Sequence, residues 1–247
     1  MPFYDREQRI TEILSGYDSM ALTELAQQLF ISLPTLRRDL IRLEKKGLVI
    51  RGHGKVSPVN NPADIKIPYS LRETEQTPAK RLMAKKAAEY VKDGSIVMLD
   101  ASTSAYCIVP HLADKKNIIV ITSGAKTAML LARYGISNIC TGGKMINKSF
   151  SYVGFDAIST IERYNADIAF FSCRGLSGKG VPSDTSAEEN DIRRAMMHRS
   201  KKSILLCDSQ KINKTYLNNL CRPHELDRII SDKELPEGII LKGKTDV

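Results

Sequence analysis

Apolar positions recur along the chain with two different periods, and the change of period divides it. From Asp5 to Ser15, Ile10, Ile13 and Leu14 fall at helical spacing, and Gly16 follows as a stop. Thr23 stands as the cap of a short second helix with Leu25, Ala26 and Leu29 on one face. After Phe30 and Ile31, Ser32 is placed to cap a third helix running to about Lys46, with Gly47 where a left-handed glycine ends helices. Pro34 is tolerated near its start because the missing N–H would have no intrahelical partner there. In this helix Leu36, Leu40 and Leu43 make one stripe, while Arg38, Arg42 and Lys45 repeat the spacing on the opposite side. Leu48-Val49-Ile50 and Val56 then flank Arg51-Gly-His53-Gly-Lys55, which predicts a hairpin with a basic, glycine-containing tip.

From Ser57 to Pro78 the periodicity lapses, and four of the ten prolines fall there. That composition predicts an extended linker over 58–78 between a first domain, 1–57, and a second, 79–247. Thr77-Pro78 opens a helix carrying Leu82, Met83, Ala87, Tyr90 and Val91, closed by Gly94. Beyond it short apolar runs at 96–99, 118–121, 168–171 and 204–206, with a weaker one near Ile139, alternate with helical stretches at about 103–112, 125–133 and 187–199. All-apolar strands alternating with helices imply an α/β domain whose mainly parallel sheet is covered on both faces.

In such folds ligands bind beyond the carboxyl ends of the strands. The loops there are rich in small polar residues: Asp100-Ala-Ser102-Thr103-Ser104, Thr122-Ser123-Gly124, Thr141-Gly142-Gly143-Lys144 and Asp208-Ser-Gln-Lys211. Hydroxyls, backbone N–H groups at a helix start and lysines suit a phosphate or carboxylate, so four such loops on one edge point to a phosphorylated small molecule. Ser102, Thr103 and Ser104 are expected to hold the phosphate, Lys211 to add a charge-assisted contact, and Asp100, Glu189 and Asp208 to accept sugar hydroxyls.

Charge sharpens the reading of the first domain. The chain's 247 residues carry a formal +9, yet the excess is not confined to one half. Between Pro34 and Lys55, however, seven basic residues face only Asp39 and Glu44. This local excess lies on the third helix and the hairpin. Ser32, Thr35 and Arg37 gather at the helix start, where a recognition helix meets base edges, and the order of short helix, turn, Ser-capped basic helix and basic hairpin is that of a winged helix-turn-helix. The candidate contacts to double-stranded DNA are Ser32, Thr35, Arg37, Arg38, Arg42 and Lys45 on the helix, with Arg51, His53 and Lys55 on the wing.

Composition adds exclusions. Hydrophobic residues at 42% and charged residues at 26% are ordinary for a globular chain and too apolar for a disordered one. The longest aliphatic stretches fall far short of the about 20 residues of a membrane span. The start, Asp5-Arg-Glu-Gln-Arg9, does not have the pattern of a signal peptide, so a soluble cytoplasmic chain is expected. The five cysteines are odd in number and widely spaced, which suits small buried hydrophobes better than disulfides or zinc. No metal or cofactor is expected.

The stretch LTELAQQLFISLPTLRRDLIRLEKKGLVIRGHGKV, residues 22–56, resembles the N-terminal domain of the DeoR family of bacterial sugar-metabolism regulators. Thr35-Leu-Arg-Arg-Asp-Leu40 and Leu43-Glu44 are its most diagnostic part; Phe30 stands where the family usually has glycine, and His53-Gly-Lys-Val56 where its wing has HGGA. The resemblance continues to about Asp232, with Leu99-Asp100-Ala-Ser-Thr-Ser104 for L-D-x-G-T-T, Gly142-Gly143 for the L-G-G pair, Glu189 to Met196 for E-x-x-x-[KR]-R-A-M, and Asp208-Ser-Gln-Lys211 for D-S-x-K. It adds Arg193 to the effector candidates. It implies a sensor fold like that of ribose-phosphate isomerase, a phosphorylated sugar effector, and a repressor of a carbohydrate-utilisation operon relieved by its ligand. One winged helix presents a small footprint that two-fold operator symmetry doubles, so a homo-oligomer (dimer or tetramer) is expected.

The same kinship keeps an alternative open, in which Asp100, Glu189, Asp208, Lys211 and His111 serve acid–base chemistry in a sugar-phosphate isomerase. His111 alone reads as a helix-surface residue, and the attached basic domain favours ligand occupancy being read out as DNA affinity. A thiol or metal sensor is a third class, disfavoured by cysteine spacing.

Overall fold

The structure is a computed structural model that describes residues 3–17, 19–45, 48–52, 54–58, 69–74 and 77–242, and the chain divides into two compact units, Met1–Leu71 and Arg72–Val247. Gly47 and His53 lie outside the described residues, as do the side chain of Lys45 and the 59–68 part of the expected linker.

In the first unit α1 (Phe3–Leu14), α2 (Leu22–Gln28) and α3 (Leu33–Lys45) pack around one apolar cluster with a small antiparallel sheet. That sheet has β1 (Met20–Ala21), β2 (Val49–Arg51) and β3 (Lys55–Pro58) in the order β1-β3-β2. The leucine stripe of α3 is the centre of the core: Leu36, Leu40 and Leu43 are fully buried, as are Ile10 and Leu14 from α1 and Leu25 from α2. Ser32 caps α3 as its sequence suggests, accepting the Thr35 N–H at 3.4 Å. The Thr23 cap is corrected. Helix α2 begins two residues earlier, at Leu22, with Ala21 as its N-cap, and makes no side-chain cap bond. The Leu22 N–H is instead taken by the Gly54 carbonyl at 2.9 Å, so the hairpin turn satisfies a donor that would otherwise need a cap.

The expected linker is not extended throughout. Its end forms α4 (Tyr69–Thr74), and the boundary between the two units falls inside that helix, between Leu71 and Arg72.

After the end of α4 the second unit continues with α5 (Thr77–Ala88) and is built on six parallel strands: β4 (Ile96–Leu99), β5 (Ile119–Thr122), β6 (Ser137–Cys140), β9 (Ile168–Ser172), β12 (Ser203–Leu206) and β14 (Arg228–Ile230). Their order is β14-β12-β9-β4-β5-β6. Both faces are apolar because successive residues point to opposite sides. Val97, Leu99, Phe170 and Leu206 join the cluster that includes α5, whereas Met98, Ala169, Phe171 and Leu205 join the one holding α8 (Phe155–Glu162) and α9 (Ala187–His198). The expected helix over 103–112 is corrected to a single turn, α6 (Thr103–Tyr106), and a separate 3₁₀ turn, Val109–Leu112. Pro110 explains the break, since its ring would collide with the carbonyl four residues back, that of Tyr106.

Helix α7 (Ala125–Arg133) follows β5, and a hairpin of β7 (Lys144–Ile146) and β8 (Ser151–Val153) folds back beside it through a Gly124–Ser151 bridge. A second small sheet, β10 (Gly175–Leu176), β11 (Pro182–Asp184) and β13 (Asn218–Asn219), completes the unit in the order β10-β11-β13.

Candidate functional site

On α3 the basic residues lie opposite the buried stripe. Arg37, Arg38 and Arg42 are exposed, Thr35 is half-buried beside exposed Ser32, and Arg51 and Lys55 are exposed on the two strands of the hairpin. Ser32 and Thr35 share a hydroxyl–hydroxyl bond of 2.9 Å that orients both at the helix start. Arg51 is not a loose cation. Its Nε donates to Glu44 Oε2 at 2.8 Å, a second guanidinium nitrogen lies 2.6 Å from the same oxygen, and its backbone N–H reaches Oε1 at 3.3 Å. The bond to Arg51 holds the Glu44 carboxyl below its usual range against a smaller opposing effect of burial. Phe30 carries the turn before α3 at φ 53°, a left-handed conformation unusual for an aromatic, and is 94% exposed.

On the second unit all six strands run the same way, so their carboxyl ends share one edge, and the loops after β4, β5, β6 and β12 open there. The centre of that edge is Arg193 of α9, buried with its partners. Its Nε donates to Asp100 Oδ2 at 3.0 Å, and its Nη1 donates to Asp184 Oδ2 and Asn190 Oδ1, both at 2.8 Å. Burial opposes a charge at Arg193, but Asp184 and Asp100 outweigh it and the guanidinium is held above its ordinary value. Burial likewise pushes the Asp184 carboxyl up, and Arg193 more than reverses this, leaving it below the usual range. Asp100 also accepts the N–H of Ser102 at 3.0 Å and of Ser172 at 3.1 Å. Its oxygens therefore tie three segments together before any ligand arrives.

Lys211 sits 3.1 Å from Asp208 Oδ2 and donates to Ser172 Oγ at 2.9 Å. Burial would lower its pKa, but Asp208 overrides this and the ammonium is raised. Ser102 Oγ accepts the Ala105 N–H at 3.1 Å, so this hydroxyl is spent on capping α6. Four other hydroxyls, those of Ser104, Ser123, Thr127 and Ser149, are buried with no hydrogen-bond partner among the described residues. Two of them, Ser123 and Thr127, belong to the β5–α7 loop and helix start, which lies against the β4 loop. A Cβ on Gly124 would come within 2.8 Å of Thr127 Oγ1 and 3.0 Å of the Ala101 Cα. Only glycine permits this approach.

The remaining candidates stand further out. Gly143 adopts φ 99°, and a Cβ there would meet the Val153 carbonyl at 2.8 Å, so its bareness serves hairpin packing. Exposed Lys144 pairs with Glu188 at 3.1 Å, one residue before half-buried Glu189. His111 is exposed on its 3₁₀ turn. Nothing in the sequence singles out Asp184, Asn190, Ser172 or Thr127. Asp184 lies on a three-residue strand with no hydrophobic period to announce it, and the small sheet delivers it to Arg193.

The five cysteines are free thiols, with Cys173 and Cys207 buried and Cys140 exposed. Among the described residues no group of three or more His, Cys, Asp or Glu is placed to hold a metal, and no helix is long and apolar enough to cross a membrane.

Comparison with known proteins identifies both units of the chain. Residues 6–61 match the DeoR-like helix-turn-helix domain, and residues 75–233 match the DeoR C terminal sensor domain. An uncharacterized HTH-type transcriptional regulator, YulB, of Bacillus subtilis (strain 168) is 33% identical over 94% of this chain and 89% of its own length. The L-fucose operon activator of Escherichia coli (strain K12) is 30% identical over 92% of this chain and 94% of its own. Among solved structures, eIF2B delta from Chaetomium thermophilum aligns with a TM-score of 0.50 at 16% identity, covering 67% of this chain and 60% of that one, a likeness of fold alone. With a family model spanning well over half its length and a relative of this identity along nearly all of it, the chain belongs to the DeoR family.

Proposed function

We propose that the chain is a transcriptional regulator of a carbohydrate-utilisation operon, a repressor that binds operator DNA through its first unit and is released by a phosphorylated sugar bound to its second. The observation that carries this reading is the exposed row Arg37, Arg38 and Arg42 on a Ser-capped helix whose other face is wholly buried. Such a helix presents bidentate donors to base edges, and Lys55 adds phosphate contact from the wing. His53 and Lys45 join them as candidates from the sequence.

The effector is read at the strand ends. Buried hydroxyls without a partner cost free energy, and those of Ser104, Ser123 and Thr127 are satisfied when an oxygen-rich ligand takes their place beside Lys211. Thr103, Gly142, Gly143 and Lys144 line the same edge, while Asp100, Arg193 and Ser102 shape it from behind. The protein acts in the cytoplasm as a dimer or tetramer, since one winged helix covers a small footprint and a two-fold axis doubles it.

Gel shifts on the promoter region next to the chain's own gene test the DNA half. Arg37→Ala/Arg38→Ala should abolish the specific complex, and undiminished binding sinks the reading. Calorimetry with ribose 5-phosphate, fructose 1-phosphate and glucose 6-phosphate tests the effector half on wild type and on Thr103→Ala/Lys211→Ala. Equal binding by the double variant places the ligand elsewhere.

A further inference from the structure

The parallel pair β12 and β14 is closed at both ends by a carboxylate. At its amino end the Ser203 N–H donates to Asp227 Oδ2 at 2.8 Å. At its carboxyl end the Cys207 N–H reaches the Ile230 carbonyl at 3.0 Å. Two residues on, where the next rung of a parallel ladder would fall, the Ser209 N–H donates to Asp232 Oδ1 at 2.7 Å instead. The Ser209 hydroxyl donates to Asp232 Oδ2 at 2.9 Å, so this carboxylate grips one residue with both oxygens. Burial pushes the Asp232 carboxyl up, but the bonds from Ser209 outweigh it and hold it below its ordinary range. Its own footing is tied to the body of the unit, since the carbonyl of adjacent Ser231 accepts from Lys86 of α5 at 3.1 Å.

Ser209 opens a three-residue 3₁₀ turn, Ser209–Lys211, whose last residue carries the ammonium of the strand-end site. We propose that Asp232 is a positioning residue of the effector site, which by gripping Ser209 sets the place of the Lys211 ammonium that contacts the phosphorylated sugar. This rests on the strand ends being the effector site, with Lys211 as a contact. A turn this short has few bonds of its own. Here the Lys211 N–H meets the Asp208 carbonyl at 2.9 Å and the Ile212 N–H meets the Ser209 carbonyl at 3.4 Å. Lys211 reaches Asp208 and Ser172 through a long side chain, and its backbone must first be set in place. Binding groups have to be held to within about 0.5 Å by the hydrogen bonds behind them, and the two bonds to Asp232 fix the turn at its first residue. Asp227 supplies a control: it makes the same kind of bond on the same strand pair, at the end away from the turn.

The test is calorimetry on the full chain with ribose 5-phosphate, fructose 1-phosphate and glucose 6-phosphate. Asp232→Ala should weaken binding of the tightest of them at least tenfold, and Asp227→Ala by less than twofold. Asp232→Asn, whose amide keeps an oxygen for the Ser209 N–H and can donate to the hydroxyl, should restore binding to within threefold of wild type. In a Lys211→Ala background Asp232→Ala should cost less than twofold, because the cation it places is gone. A residue that merely closes the strand pair predicts equal losses for Asp232→Ala and Asp227→Ala, or the same loss with and without Lys211, and either result overturns the proposal. If Lys211→Ala weakens binding while Asp232→Ala stays within twofold of wild type, the proposal is overturned and the effector site stands. If Lys211→Ala binds like wild type, or wild type binds none of the three, both fall. Should Asp232→Ala melt early, Ser209→Ala carries the same comparison: a threefold or greater loss that vanishes in the Lys211→Ala background supports the proposal, and no loss overturns it.

Discussion

Arg193 and Asp100 are 93 residues apart in sequence and meet at 3.0 Å, both buried, where the loop after β4 passes the first turns of α9. With Asp184 on the other side of the guanidinium, the pair joins the main sheet, the small sheet and α9 through one cation. This fixes the strand-end edge from behind through charges that already have partners.

Replacing Arg193 by methionine leaves Asp100 and Asp184 buried without their counter-ion. Removing one partner of a buried ion pair typically costs about 3–5 kcal/mol. Urea unfolding at pH 7 should therefore show a loss of that size, and a change below about 1 kcal/mol would mean that water reaches both carboxylates.

The same network sets a pH dependence. The Asp184 carboxyl is held below its unfolded value of about 3.9, so its stabilising contribution is complete above that pH and is lost as pH falls through the lowered folded value. Asp167, bonded to Lys201, adds to the loss in the same direction. Unfolding free energy should thus decline from pH 5 to pH 3. In Arg193→Met the decline should flatten or reverse, because a buried carboxyl without a cation gains from protonation.

Glu44 offers a gain. It clamps Arg51 at the end of the recognition helix, and Glu44→Gln both removes a negative charge there and frees the guanidinium. Duplex affinity should rise at low salt, and the slope of log affinity against log salt should steepen by about one, as for one added phosphate contact. An unchanged slope in a filter-binding titration would show that Arg51 does not reach DNA.

Phe30 is expected to be dispensable to stability despite its size. At φ 53° and 94% exposed, it buries little and holds a conformation costing a non-glycine residue about 1–2 kcal/mol. Phe30→Gly relieves that strain and loses about 0.5–1 kcal/mol to the freer unfolded chain. The melting temperature should stay level or rise slightly, in contrast to the loss of about 3–5 kcal/mol for Phe170→Ala in the core.

The periodicity of apolar residues determined most of the architecture. Leu36, Leu40 and Leu43 have one way to be buried together, on a helix, and that choice puts Arg38 and Arg42 on the exposed face. All-apolar runs such as Ile168 to Phe171 demand cover on both sides, which makes them inner parallel strands and sends every following loop to one edge. The identity of the strand-end loops was legible for that reason alone. Short elements were not. Asn218-Asn219 and Pro182 to Asp184 have too few residues to show a period, so the small sheet and Asp184 emerged only from tertiary packing.

Partnership was also beyond the sequence. Asp100 reads as a ligand-facing carboxylate, yet its oxygens are committed to Ser102, Ser172 and Arg193, because a buried charge must be compensated by whatever the fold brings near. The proline-rich stretch before Thr77 reads as extended throughout, yet 69–74 form a helix whose Glu73 holds Lys126 of α7. A six-residue helix has too little intrinsic cooperativity to be announced by its own residues and depends on contacts with distant ones. Local spacing determined the elements and their faces; long-range charge compensation, which no spacing encodes, decided which polar residues remain for a ligand.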